Sequence, residues 1–200
     1  MDSKNNSTFE MVKLGLVLAV YASVFCTILA LVNNVTSPVI ANNQTEKVNK
    51  AMQAFFPEEG YSFVAVDDYE PKNAGTIKID SVIIAKKDGA IAGGAVQVSG
   101  PTYDQGTILM GIKTDGTVTG LQFLKLSDSP GFGLKANDPT FKLPNGKTFY
   151  GQFEGKNAKE GFTAGKNFDA ISGATITSNG VAELMNQGTA VLMNYFSKNK

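Results

Sequence analysis

Residues Thr107–Leu126, TILMGIKTDGTVTGLQFLKL, contain two apolar runs, with β-branched residues, that flank Asp115-Gly116. β-Branched residues favour strands, and an Asp-Gly pair between two apolar runs is a strong signal for a tight hairpin turn. The stretch therefore predicts two antiparallel strands, Thr107–Lys113 and Val118–Leu126.

Three further strand-like runs precede this hairpin, at Ser62–Val66, Thr76–Lys86 and Ala90–Val98. A second Asp-Gly pair, Asp88-Gly89, lies between the last two runs and predicts another hairpin turn. Together the runs predict a meander of antiparallel strands. The residues that follow, 127–151, are rich in Gly and Pro and predict loops.

The end of the chain returns to a helical pattern, from about Ser178 to Ser197. Its apolar residues trace one stripe along that helix: Val181, Leu184, Met185, Gly188, Val191, Leu192, Tyr195 and Phe196. We therefore expect an α+β fold in which a terminal helix covers an antiparallel sheet.

The N-terminal part of the chain contains an uncharged stretch, Leu14–Val32, of 19 residues. As a helix it is long enough to span a hydrocarbon core of about 30 Å. A cleaved signal peptide is the alternative, but its apolar core is usually about 7–15 residues long and follows a clearly basic start. The length favours a retained transmembrane helix, which we assign to residues 14–34.

The distribution of lysines around this stretch predicts its orientation. Lys4, Lys13 and the terminal amine precede it, whereas the first lysine after it is Lys47. The positive-inside rule therefore predicts a cytoplasmic segment at residues 1–13 and an extracytoplasmic domain at residues 45–200, in a single-pass protein of the cell (inner) membrane.

The residues between the apolar stretch and the domain are polar. Residues 35–44, which contain Pro38, predict a short connector. Thr45 would then cap a helix over Glu46–Phe56, which Pro57 would end.

The composition excludes several classes of site. The 18 Lys balance the 18 Asp and Glu, so no net field favours nucleic acid as a partner. The absence of His excludes a Ser-His-Asp triad and a His-ligated metal, and the single Cys excludes an intrachain disulfide and an all-Cys iron–sulfur cluster. We expect no metal site and no catalytic side chain, so any redox chemistry would need a bound organic cofactor.

Residues Asp169–Gly180, DAISGATITSNG, lead directly into the predicted last helix. The free N–H groups and positive dipole end of a helix N-terminus suit a phosphate, and Gly173 and Ala174 permit close approach of a ligand to the backbone. An ordinary helix cap made by Ser or Thr is the other interpretation of these residues.

The first part of this stretch, Asp-x-x-Ser-Gly-Ala-Thr, resembles the flavinylation motif of FMN-binding domains in RnfG and the related NqrC, each a component of a membrane complex. The motif residues are Asp169, Ser172, Gly173, Ala174 and Thr175. In that family a separate, exported flavin transferase joins FMN through its phosphate to the Thr of Ser-Gly-Ala-Thr. The resemblance implies that Thr175 is the acceptor and that Asp169 is part of what the transferase recognises. Thr177 and Ser178 are the alternative hydroxyls.

A second motif, Ser129–Gly133 or SPGFG, resembles the family's Thr-Pro-Gly-Leu-Gly loop, which lies against the flavin. Here Ser replaces Thr and Phe replaces Leu. The resemblance implies cofactor contacts at Pro130, Gly131, Phe132 and Gly133. For Phe132, a role as the core anchor of a long loop is the alternative.

The resemblance implies a membrane-anchored electron-transfer subunit, with covalent FMN, of the Rnf complex, which couples ferredoxin oxidation and NAD reduction to sodium or proton export. Its expected partners are the other membrane subunits and the flavin transferase. The alternatives are an NqrC-type subunit of the sodium-pumping NADH:quinone reductase, a stand-alone extracytoplasmic flavoprotein, and a non-redox binding domain whose motif is only a helix cap.

Overall fold

The computed structural model describes the backbone of residues 3–199 and the side chains of residues 9–40 and 42–199. The chain divides into two compact units, of which the first ends at Glu46 and the second begins at Lys47.

Helix α1 extends without interruption over Ser3–Phe55. The predicted helix start at Thr45 is therefore wrong, because residues 35–44 are helical and Pro38 lies inside the helix. Two polar side chains of this segment bond within the helix: Thr36 Oγ1 donates to the Val32 carbonyl at 2.9 Å, and Ser37 Oγ donates to Asn33 Oδ1 at 3.2 Å. Such i−4 bonds let hydroxyl residues remain helical, so their polarity does not by itself end a helix.

Within the described residues, α1 is the one helix long and apolar enough to cross a membrane. Its apolar side chains are exposed, as shown by Leu18 and Leu29, whose exposed fractions are 69% and 68%. A helix that faces lipid needs such an apolar surface, because lipid offers no hydrogen-bond partners.

The sheet has six strands, and all neighbouring strands are antiparallel in the order β1-β3-β4-β5-β6, with β2 paired to β3 off this path. The strands are β1 Tyr61–Val66, β2 Asn73–Ala74, β3 Ile77–Lys87, β4 Ala90–Gly100, β5 Gly106–Lys113 and β6 Val118–Leu126. Gly89 and Gly116, in the two hairpin turns, adopt φ angles of 81° and 101°. These angles lie in the left-handed region, which glycine adopts without strain. The predicted meander is confirmed; the short β2 is an addition.

Helix α2, Thr175–Lys198, packs on one face of the sheet. Its predicted apolar stripe is confirmed, because Val181, Leu184 and Met185 are fully buried in the main core. The helix starts three residues before the predicted Ser178. The α+β class is confirmed.

The end of α1 packs on the other face of the sheet, where Met52, Phe55 and Phe56 contact a second cluster of buried residues. The sheet makes room for this helix with glycines, of which Gly93 lies against the Phe56 ring and Gly111 and Gly120 lie against the Phe55 ring. A Cβ atom would lie 2.7 Å from the Phe55 ring if built on Gly111, and 2.4 Å if built on Gly120.

Residues 127–174, which connect β6 to α2, contain three short 3-10 helices. They are organised around four buried phenylalanine rings, whose centroids lie 5.1 to 6.2 Å apart in tilted or edge-to-face pairs. The rings belong to Phe149, Phe153, Phe162 and Phe168. This aromatic cluster fixes the loop that leads into Asp169 and the start of α2.

Candidate functional site

The first turn of α2 leaves its backbone donors free. Ala174 is the N-cap residue, and no side chain caps the helix. The N–H groups of Thr175, Ile176 and Thr177 have no acceptor among the described residues. The helix-cap interpretation of the motif is therefore wrong, and the free N–H groups together with the helix dipole favour an anion at this position.

Three hydroxyl side chains lie in this turn, and only one of them is exposed and free of hydrogen bonds to the described residues. Thr177 is buried and donates to Asp128 Oδ2 at 2.5 Å. Ser178 is buried, donates to the Ala174 carbonyl at 3.0 Å and accepts from the N–H of Ile171 at 3.0 Å. Thr175 is exposed, and its hydroxyl has no hydrogen-bond partner among the described residues.

The Thr175 side chain lines a surface cavity of about 540 Å³. This volume lies within the range of roughly 300–1,000 Å³ that is typical of small-molecule and cofactor sites. The cavity is lined by Tyr103, Ser129, Pro130, Phe132, Gly133, Gly173, Ala174, Thr175, Ile176 and Thr177. Two segments far apart in sequence, the Ser129–Gly133 loop and the start of α2, thus form one site.

Large apolar side chains form the exposed walls of this cavity. Tyr103, Phe132 and Ile176 are 64%, 56% and 62% exposed. The alternative role of Phe132 as a core anchor is wrong, because its ring is exposed. Exposed apolar groups that converge around a cavity are typical of a ligand-binding surface.

Gly131, Ser172 and Asp169 do not line the cavity, although the sequence predicted all three as site residues. Gly131 turns the loop with a φ of 76°, and Ser172 is exposed just before the helix. Asp169 lies in a smaller surface cavity of about 240 Å³ together with Asn145 and Gln152.

The surroundings of Asp169 hold it in one place while its carboxylate stays exposed. The Gln152 side chain accepts from the Asp169 N–H at 2.8 Å and donates to the Asp169 carbonyl at 3.0 Å. The Asn145 amide donates to Asp169 Oδ2 at 2.8 Å. The carboxylate is therefore presented at a fixed position on the surface.

Beneath the cavity lies a buried carboxylate, Asp128, which the sequence did not predict as a site residue. It is 3% exposed. Oδ1 accepts from Thr102 Oγ1 at 2.5 Å and from the N–H of Asp104 at 3.0 Å. Oδ2 accepts from Thr177 Oγ1 at 2.5 Å and from the N–H of Tyr103 at 3.3 Å. The carboxylate thus joins the loop after β4 to the first turn of α2.

Burial raises the pKa of Asp128, but the hydrogen bonds from Thr102, Thr177 and two backbone N–H groups outweigh this effect and hold the pKa below its ordinary value. Asp128 is therefore ionised at neutral pH.

Comparison with known proteins agrees with this geometry. Residues 102–190 match the model of the FMN-binding domain family, and residues 3–54 match that of the RnfG N-terminal region. The G component of the Na(+)-translocating ferredoxin:NAD(+) oxidoreductase complex of Acetobacterium woodii is 32% identical in an alignment that covers 91% of each chain. The chain belongs to the RnfG family.

Two other relatives are G components of such complexes. The one from the ion-translocating oxidoreductase complex of Methanosarcina acetivorans is 30% identical over 187 residues, covering 88% of this chain and 91% of the relative. The one from the proton-translocating ferredoxin:NAD(+) oxidoreductase complex of Clostridium ljungdahlii is 28% identical over 190 residues, covering 91% and 90%. The RnfG resemblance predicted from the two motifs is confirmed.

The residues of this RnfG-family chain fit an FMN phosphate and ring. The FMN-binding match, residues 102–190, includes every residue that lines the cavity. Free N–H groups meet the negative charge of a phosphate, and the apolar walls suit an aromatic ring.

Asp128 was missed because a single carboxylate in a Gly- and Pro-rich loop is usually solvated. Its hydrogen-bond partners are 24 to 49 residues away in sequence, so no local pattern reports them. The only available signal is its place between the end of β6 and the Ser129–Gly133 loop.

Proposed function

We propose that this chain is a membrane-anchored electron-transfer subunit of an Rnf-type ion-translocating ferredoxin:NAD oxidoreductase complex and that it carries FMN on Thr175 through a phosphoester. One observation carries the proposal: the Thr175 hydroxyl is exposed and, among the described residues, unpaired, at a helix N-terminus with free N–H groups, inside an apolar-walled cavity.

The attachment is a phosphoryl-type transfer without a change of oxidation state. The Thr175 oxygen forms a bond to the phosphorus of the FMN moiety, and the hydroxyl proton passes to solvent or to a base of the transferase. The bond that breaks is a phosphoanhydride in the flavin donor, so the donor is a flavin dinucleotide and a nucleoside monophosphate leaves. The exposed Asp169 carboxylate supports the role of this surface as the part that the flavin transferase recognises.

The chain's own residues then hold the group in place. The N–H groups of Thr175, Ile176 and Thr177 stabilise the phosphodiester charge, while Tyr103 and Phe132 provide apolar surface for the ring. FMN supplies the redox chemistry when it is bound. A covalently tethered carrier needs no acid or base of its own, which agrees with the absence of His from the chain.

The anchor and its orientation are part of this proposal. We assign the membrane-spanning part to residues 14–34, residues 1–13 to the cytoplasm, residues 35–44 to a helical connector and residues 45–200 to the extracytoplasmic FMN-binding domain. The lysine distribution supports this orientation. The partners are then the other membrane subunits of the complex.

An NqrC-type subunit is the second candidate, because the two families share the attachment motif. The match of residues 3–54 to the RnfG N-terminal region and the names of the relatives favour the Rnf assignment.

The attachment is tested by co-expressing the full chain with a flavin transferase and measuring its intact mass and in-gel flavin fluorescence after denaturation. We expect the wild type and the control Thr163→Val, an exposed threonine outside the cavity, to carry one FMN. Thr175→Val should carry none. An unmodified wild type would contradict covalent FMN, and flavin retained in Thr175→Val would move the attachment to another hydroxyl.

The orientation is tested with a Thr163→Cys variant in a Cys26→Ala background. A membrane-impermeant maleimide should label Cys at position 163 in spheroplasts with an intact membrane. Labelling only after lysis would place the domain in the cytoplasm and overturn the proposed topology.

A further inference from the structure

A buried carboxylate connects the segments that surround the cavity. The four donors to Asp128 come from Thr102, Tyr103, Asp104 and Thr177. The first three belong to the loop between β4 and β5, and Thr177 lies in the first turn of α2. Asp128 itself lies two residues after β6 and directly before the Ser129–Gly133 loop.

We propose that Asp128 is a positioning residue for flavin attachment: its carboxylate fixes the first turn of α2, and with it the Thr175 hydroxyl, against the loop that carries Tyr103. This role rests on the proposed attachment of FMN to Thr175. Asp128 does not line the cavity, so it acts through Thr177, two residues after the acceptor.

The hydrogen-bond pattern suits an ionised carboxylate and does not suit an amide. Each oxygen of Asp128 accepts one threonine hydroxyl and one backbone N–H. An ionised carboxylate is an acceptor at every lone pair, whereas an amide has donors on one side. A hydroxyl can turn to accept, but a backbone N–H cannot. An amide in either orientation would therefore direct its NH₂ group at a backbone N–H.

The segments that Asp128 joins are packed without spare room. A Cβ atom on Gly133 would lie 2.5 Å from Thr177 Oγ1 and 2.6 Å from Asp128 Cβ. A Cβ atom on Gly180 would lie 2.7 Å from Thr102 Cα. Because the loops and α2 are in such close contact, loosening of the Asp128 bonds displaces the first turn relative to the cavity walls.

Asp138 provides a matched control in a neighbouring loop. Its Oδ1 alone accepts from the Thr140 N–H, the Thr140 hydroxyl and the Phe141 N–H, at 2.8, 2.7 and 3.3 Å. An amide oxygen can replace this single acceptor. Asp138→Asn therefore makes the same chemical change as Asp128→Asn but keeps its hydrogen bonds.

The test measures the rate at which the detergent-solubilised full chain gains FMN from flavin dinucleotide and a purified flavin transferase, followed by intact mass. We expect Asp128→Asn to lower the kcat of attachment about tenfold, the loss expected for a hydrogen bond to a charged group. The KM for the acceptor chain should stay unchanged, because Asp169 and its surface are intact. Asp138→Asn should remain within about twofold of the wild type.

A second pair of variants isolates the link to α2. Thr177→Val removes one hydrogen bond to Asp128 and should slow attachment, whereas Thr177→Ser keeps the hydroxyl and should restore the rate. If Asp128→Asn fails to fold, as judged by tyrosine fluorescence, the Thr177 pair decides. Wild-type rates in folded Asp128→Asn or in Thr177→Val would overturn the positioning role alone. If neither the wild type nor Asp138→Asn gains FMN, the proposed function fails and the positioning role with it.

Discussion

The two faces of the sheet pack against their helices in opposite ways. On one face the helix has the glycine and the sheet has the large side chains, and on the other face the arrangement is reversed. On the α2 face the glycine is Gly188 of the helix. A Cβ atom built on Gly188 would lie 2.8 Å from the Val96 side chain and 3.0 Å from the Val98 side chain of the sheet. On the α1 face the sheet contributes Gly111 and Gly120, and the helix inserts the Phe55 ring. Side chains alternate across a strand, so one set of strands can serve both arrangements.

The two faces also differ in what depends on them. The α2 face is covered by the larger core cluster and adds the polar contact between Asp128 and Thr177, which lies beside the cavity. The α1 face is covered by a smaller cluster centred on the last turns of α1. Packing on the α1 face therefore depends on a few large side chains at one end of the helix, chiefly Met52, Phe55 and Phe56, whereas packing on the α2 face is shared among many.

The largest expected effect tests that dependence. Phe55→Ala leaves two glycines facing an empty space, and we expect a loss of about 3–5 kcal/mol in the free energy of unfolding. Urea unfolding of the full chain in detergent, followed by tyrosine fluorescence, measures it. The control is Phe63→Ala, whose ring is 38% exposed on the edge strand β1. A loss for Phe55→Ala no larger than that for Phe63→Ala would contradict the comparison.

Acid should weaken the polar contact on the α2 face. Because the folded pKa of Asp128 is lowered, its stabilising contribution is complete above the unfolded pKa of about 3.9 and is lost as pH falls through the lower folded value. At pH 7 we expect Asp128→Asn to cost on the order of 2 kcal/mol, and this deficit should shrink below about pH 4. Urea midpoints of both chains from pH 7 to pH 3 measure it; a deficit independent of pH would show that the charge is not the cause.

A smaller effect is expected from filling the space at Gly188. Alanine favours a helix interior by about 1 kcal/mol over glycine, but its methyl group would overlap Val96, and overpacking costs about 1–3 kcal/mol. We expect a net loss of about 1 kcal/mol for Gly188→Ala. In a double-mutant cycle, the Val96→Ala background should remove the closer of the two overlaps, with Val96 and Val98, and make Gly188→Ala less destabilising. Equal effects in both backgrounds would contradict contact between these two residues.

The sheet could be predicted from the sequence because its signals are local. The β-branched runs and the two Asp-Gly turns located five strands with boundaries within two residues of those observed, such as Ala90–Gly100 for the predicted Ala90–Val98. The motif of the proposed acceptor is equally local, since the resemblance that singles out Thr175 rests on its immediate neighbours. The helical state of residues 35–44 was missed because Pro38 and polar residues usually favour a break, whereas hydroxyls such as that of Thr36 bond within the helix.

The parts of the site that the sequence did not predict depend on contacts between distant segments. Asp128 becomes important only when Thr102 and Thr177, 26 and 49 residues away, converge on it. Tyr103 and Ile176 form cavity walls only because the fold brings the β4–β5 loop beside the start of α2. A list of motif residues therefore gives the proposed acceptor, but the structure is needed to find the residues that surround it.

The last expected effect has the opposite sign and lies on the α1 face. Thr119 Oγ1, in β6, is buried beside Gly111 and Phe55 and has no hydrogen-bond partner among the described residues. Thr119→Val removes this unpaired hydroxyl at nearly constant volume and should stabilise the chain by about 1 kcal/mol. Thr107→Val is the matched control, because the Thr107 hydroxyl pairs with Ser99 Oγ at 2.8 Å and its loss should be destabilising. The same urea measurement compares them, and a destabilised Thr119→Val would mean that the hydroxyl has a partner, such as a bound water, that makes this face less purely apolar than its contacts indicate.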